Sequence, residues 1–135
     1  MIRSQHSLEH AWLWIAIAWL GIALLVYLSL GRIEVGLPGP NGDKYGHISA
    51  YAVLTFWFMQ LYDGVRERRA VALLLLALGV VLEIAQSMTG YRTMDPADAV
   101  ADAIGIALGW LLAPPRTGHL LERIEKVMAG ARLRR

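Results

Sequence analysis

From Ala11 to Leu30 the chain reads AWLWIAIAWLGIALLVYLSL, an uncharged apolar run. At 1.5 Å per residue, a helix of about 20 residues reaches about 30 Å, the thickness of a hydrocarbon core. No period-two alternation suggests a strand, and a helix satisfies its own backbone groups in lipid. A signal peptide has an apolar core of about 7–15 residues behind a basic leader. Here only Arg3 precedes the run among Lys and Arg, and no A-x-A site follows. The segment therefore predicts a membrane helix. Composition agrees, since 56% of the 135 residues are hydrophobic before the 13 glycines are counted, and 18% are charged. A soluble domain has about 45–50% apolar residues with Gly included, and about 25% charged. Zero Cys excludes thiol catalysis and thiolate metal sites.

Three further segments, 46–62, 70–88 and 97–112, extend the pattern to four spans; the last is the weakest because it holds Asp98 and Asp102, with a re-entrant or tilted segment as its alternative. With a cytoplasmic start, the inside segments carry Arg3, Arg66, Arg68, Arg69, Arg116, Arg123, Lys126, Arg132, Arg134 and Arg135. The outside loops keep only Arg32, Lys44 and Arg92. The positive-inside rule thus places both termini in the cytoplasm. After Pro114 and Pro115, Leu120, Leu121, Ile124, Val127 and Met128 recur at helical spacing among basic residues. They predict a short amphipathic helix on the inner leaflet, with a solvated tail as the alternative. The expected fold is all-α, an integral membrane four-helix bundle. Residues 1–116 form the membrane domain and 117–135 a basic amphipathic cytoplasmic tail. Nucleic acid is not an expected partner, because these charges already have a membrane explanation.

The polar residues of the spans gather near their outer ends. Asp43, His47 and Tyr51 are spaced by four and Lys44 lies three before His47, so all four share a helix face. Glu83 and Gln86 are three apart near the end of the third span. Asp95, Asp98 and Asp102 form one stripe at the start of the fourth, continuing into Gly105 and Gly109. Glu83 and Asp102 each lie about 7–8 Å into their spans. A charge there costs at least about 2.5–3.5 kcal/mol, and such residues usually face a bundle interior or wet cavity. His47 and Glu83 have the chemistry of an acid–base pair. Lys44 and Arg92 are suited to a phosphate or carboxylate. His47, Glu83, Asp98 and Asp102 alternatively suit a divalent cation. No other cofactor is expected. Each residue also has a packing reading: Arg92 could only neutralise buried acids, and the Gly105-x-x-x-Gly109 pair serves close helix packing. Trp12, Trp14 and Trp19 anchor and pack the first helix.

The pattern Asp43-Lys44-x-x-His47-x-x-x-Tyr51-x-x-Leu54 resembles the first signature of the VanZ-like family. Glu83-x-x-Gln86, Gly90-x-Arg92, Asp98, Gly105 and Gly109 resemble its second. The two motifs cover about half the chain in the family's order. One departure is Asp102, where the family commonly has Asn. The resemblance implies a small multi-pass protein of the bacterial cytoplasmic membrane, in a family whose namesake is associated with low-level teicoplanin resistance. The resulting expectation is an outer-leaflet-facing site built from Asp43, Lys44, His47, Tyr51, Glu83, Gln86, Arg92, Asp98 and Asp102. Its partners would be membrane lipids and a lipid head group, a lipid-linked envelope precursor or a lipoglycopeptide. Two rival expectations are a membrane-embedded hydrolase or transferase using His47 and Glu83, and a structural or partner membrane subunit.

Overall fold

The computed structural model describes residues 8–32, 38–39, 41–91, 93–116 and 118–132. Among them the regular structure is entirely α-helical: α1 (Ala11–Leu30), α2 (Gly42–Leu61), α3 (Val65–Ser87), α4 (Pro96–Leu112) and α5 (Leu120–Arg132).

Local chemistry sets the helix ends. Pro96 opens α4 with a preset φ, and the Asp95 side chain accepts the Ala97 N–H at 2.9 Å. Beyond α3, Gly90 takes φ 74°, a left-handed conformation that side chains disfavour. Two helices reach beyond their apolar segments: α2 begins at Gly42, which takes in Asp43 and Lys44 as their shared face requires, and α3 begins at Val65 rather than 70. Their first turns are polar and carry Asp43 and Glu67, acids that suit the positive end of a helix dipole. Residues 62–64 alone then connect α2 to α3, which pack against each other. The segment carrying Asp98 and Asp102 is one continuous 17-residue helix, about 25 Å long.

The most extensive helix contact is between α2 and α4. A Cβ on Gly105 would stand 2.5 Å from the Ile48 carbonyl oxygen, and one on Gly109 only 2.4 Å from that of Ala52. The two backbones therefore meet directly, as small residues allow. Leu25, Tyr51, Leu54, Leu75, Leu82 and Ile106 form a core cluster drawn from α1 to α4. The outward faces are apolar too: Leu20, Leu73, Leu74, Val81 and Leu112 are all exposed. Of the α1 tryptophans named above, Trp14 is buried, while Trp12 and Trp19 face outward. By length and composition, α1 and α3 could each cross a membrane.

The opposite end from His47 has its own polar fastening. Arg68, at the start of α3, donates from Nε to the Tyr62 carbonyl at 2.7 Å and from Nη2 to that of Met59 at 3.1 Å. Its Nη1 donates to the Pro114 carbonyl. The Met59 carbonyl belongs to the last turn of α2, where helical acceptors lack intrahelical donors. Nearby, Gln60 Oε1 accepts the first N–H of α5, from Leu120, at 2.8 Å. Leu121 joins Trp14, Ala18 and Leu61 in a second core cluster, so α5 is seated on α1 and α2.

Glu125 completes that seat. Its carboxylate accepts from the Trp14 indole at 2.8 Å and from the Glu9 and His10 N–H groups at 2.8 and 2.9 Å. Burial pushes the Glu125 carboxyl up, but these hydrogen bonds outweigh it and hold the group below the ordinary 4.5. A depressed folded value stabilises above the unfolded value, and that stabilisation is lost as pH falls through the folded one. Hydrogen-exchange protection of α5, corrected for intrinsic rates, should thus hold from neutrality to about pH 5 and fall below it. Glu125→Gln should remove that step. A step of equal size in Glu125→Gln would assign it to another group.

Candidate functional site

The sequence spacing of α2 carries Asp43, Lys44, His47 and Tyr51 toward the start of α4. Lys44 Nζ lies 2.7 Å from Asp95 Oδ2, 3.1 Å from Asp98 Oδ1 and 3.2 Å from Asp43 Oδ2. The ammonium beside Asp95, with the capped Ala97 N–H, holds that carboxyl below the usual range. Lys44 is thereby turned onto the protein's own acids rather than left to meet an external anion. Its three N–H donors match three carboxylates.

One turn deeper, His47 Nδ1 lies 2.8 Å from Asp102 Oδ1, and His47 Nε2 lies 3.8 Å from Asp98 Oδ2. Asp102 is 1% exposed. Its second oxygen, Oδ2, fills the space at Gly79, where a Cβ would stand 2.4 Å away, and the buried Tyr51 hydroxyl borders the same spot at 3.1 Å. Gly79 on α3 is thus a part of the site that hydropathy does not register.

Glu83 on α3 is 3% exposed. Its Oε2 accepts the Asp95 N–H at 3.3 Å, a long contact, while Oε1 is buried with no hydrogen-bond partner among the described residues. One ligand atom each from His47, Glu83 and Asp98 lies within 4.8 Å of the others. Three helices therefore bring together Lys44, His47, Glu83, Asp95, Asp98 and Asp102, with Asp43 at the exposed rim. Gln86 is buried but turned elsewhere, donating to the Ser29 carbonyl of α1 at 2.9 Å. Arg92 lies outside the described residues.

A cleft of about 380 Å³ opens between α1 and α2, lined by Gly21, Leu24, Leu25, Leu28, Ser29, Gly46, His47, Ser49, Ala50, Val53 and Leu54. Its wall is mainly apolar. Of the charged and titratable cluster, only His47 reaches it. Glu83, Asp98 and Asp102 do not line it.

No family model matches this sequence, and no solved structure matches it. An uncharacterized protein of Schizosaccharomyces pombe, C11E3.10, is 36% identical over 95 residues, covering 67% of this chain and 58% of that protein. The chain thus spans less than two thirds of that relative's length, and the similarity reaches a eukaryotic sequence.

The chemistry available here is that of an oriented imidazole. A buried carboxylate bonded to Nδ1 fixes the ring and its tautomer, leaving Nε2 as a base or a ligand atom facing Asp98. The cluster is acidic overall. Five carboxylates surround one ammonium and one imidazole, so a cation or a hydrogen-bond donor is matched better than a bare anion.

Proposed function

We propose that this chain is a four-span membrane protein of the VanZ-like type, with both termini cytoplasmic. Its outer-facing site binds a lipid-like amphiphile, polar group at the His47 end and acyl chain in the α1–α2 cleft. The observation that carries this reading is the double position of His47, which lines the apolar cleft and hydrogen-bonds to the buried Asp102. An amphiphile needs such a junction between an apolar channel and a few fixed polar groups. The cleft's volume falls within the roughly 300–1,000 Å³ of small-molecule sites.

The membrane setting is supported by two apolar helices of spanning length and by the leucines and tryptophans on outward faces. The charged residues of α2 and α4 gather at one end, where Asp98 and Asp102 are buried away from lipid. A bacterial inner-membrane location follows from the motif resemblance. A ligand as general as a membrane lipid or lipid-linked head group also accommodates the similarity to a fission-yeast protein.

Val53 is exposed and lines the cleft, so Val53→Trp fills it without touching the acidic cluster. Native mass spectrometry from mild detergent should show lipid adducts on the parent protein and several-fold fewer on Val53→Trp. Val81→Trp, on an outward position of α3, should retain them. Equal adduct levels in both variants would overturn the cleft as the acyl site.

A further inference from the structure

We propose that His47, Glu83 and Asp98 form a binding site for one divalent cation of the borderline class, such as Mn2+ or Zn2+. This goes beyond the amphiphile reading and does not depend on the cleft holding a lipid.

Geometry comes first. The three candidate ligand atoms lie within 4.8 Å of one another. Ligands on opposite sides of a first-row ion stand about 4 Å apart at bond lengths near 2.0–2.2 Å, so side-chain shifts below about 1 Å suffice. One imidazole with two carboxylates is a mixed donor set suited to such ions rather than to the all-oxygen preference of Ca2+.

The second argument is an orphaned atom. Glu83 is 3% exposed, and its Oε1 is buried without a hydrogen-bond partner among the described residues. A carboxylate oxygen in that position lacks the compensation that buried charge requires, and a metal ion supplies it.

The hydrogen bond behind the ring is the third. With Nδ1 directed at Asp102 Oδ1 at 2.8 Å, the neutral ring holds its proton there and presents the Nε2 lone pair toward Asp98 Oδ2 at 3.8 Å. Two lone-pair groups facing one another are relieved by a proton or by a metal ion between them, and the metal makes use of both. The carboxylate behind a ligating imidazole is the usual support of a metal-bound histidine. Asp98 is divided to match, with Oδ1 taken by Lys44 and Oδ2 left toward His47. The neighbouring trio Asp43, Asp95 and Asp98 has no such need, because the Lys44 ammonium already bonds to all three. Three protein ligands leave coordination positions open for water or for an oxygen of a bound molecule.

The test uses the full chain in mild detergent, stripped with chelator and titrated with Mn2+. Electron paramagnetic resonance should count one bound ion per chain, and its pulsed form should show nitrogen coupling from His47. Glu83→Gln should weaken binding at least about tenfold, and Asp102→Asn should weaken it by roughly 10–100-fold while keeping the nitrogen signal. Glu67→Gln, in the first turn of α3 and far along that helix from Glu83, should bind like the parent. The proposal is overturned if the parent takes up no Mn2+ or Zn2+ at millimolar concentration, or if bound Mn2+ shows no nitrogen coupling. Equal affinity in Glu83→Gln overturns it as well. The parent spectrum decides the question even where a variant fails to fold. Lipid adducts, measured separately, report on the amphiphile reading.

Discussion

Arg68→Met should destabilise the folded chain by about 3–5 kcal/mol, because three carbonyls lose their donor together and each buried loss costs about 1–3 kcal/mol before any rehydration. Those acceptors come from the end of α2, the α2–α3 connection and the segment after α4. One guanidinium thus fastens the corner after α2 to the segment after α4. Arg68→Lys should fall between parent and Met, since a single ammonium cannot reproduce the planar fork. Denaturant unfolding in mild detergent measures both. A loss below about 1 kcal/mol in the Met variant would mean that water or another group replaces the fork.

Gly109→Ala should cost about 3 kcal/mol, the upper end of ordinary overpacking, because the opposing atom is a backbone oxygen and cannot rotate away. Gly130, on α5, has nothing within 4 Å of its Cβ position. There the same change should stabilise by about 0.5–1 kcal/mol, the usual gain for Ala over Gly inside a helix. Helix propensity alone predicts a gain at both sites. Opposite signs in the two unfolding curves are therefore the mark of α2–α4 backbone contact, and a gain at both would deny it.

Much of this arrangement is legible in the sequence because the relevant spacings are local. The fours separating Asp43, His47 and Tyr51, and the stripe from Asp95 to Asp102, are properties of single helices. So is the apolar run of α1. What spacing cannot give is the choice of partner across helices. Lys44 reads as a cation awaiting an anion, yet three carboxylates already surround it. Gln86 lies one turn from Glu83 but finds the Ser29 carbonyl. Arg68 and Glu125 register in the sequence only as charges, since their partners include backbone groups distant along the chain. Gly79 sits in an apolar run with nothing to distinguish it until Asp102 approaches.

The uneven distribution of polar residues among the helices bears on how the chain is made. On the membrane reading, α1 and α3 are self-sufficient guests in lipid, whereas α2 and α4 carry nearly all of the acidic cluster. Strong and weak segments therefore alternate in the order of synthesis. The emerging α2 meets the bilayer before α4 exists, with Lys44 and His47 lacking their carboxylate partners. On the same reading, its stable residence waits for α4 to arrive and close the glycine seam. On that reading, commitment to the final topology belongs to the C-terminal half, and a chain halted after α3 would leave α2 free to slip out of place.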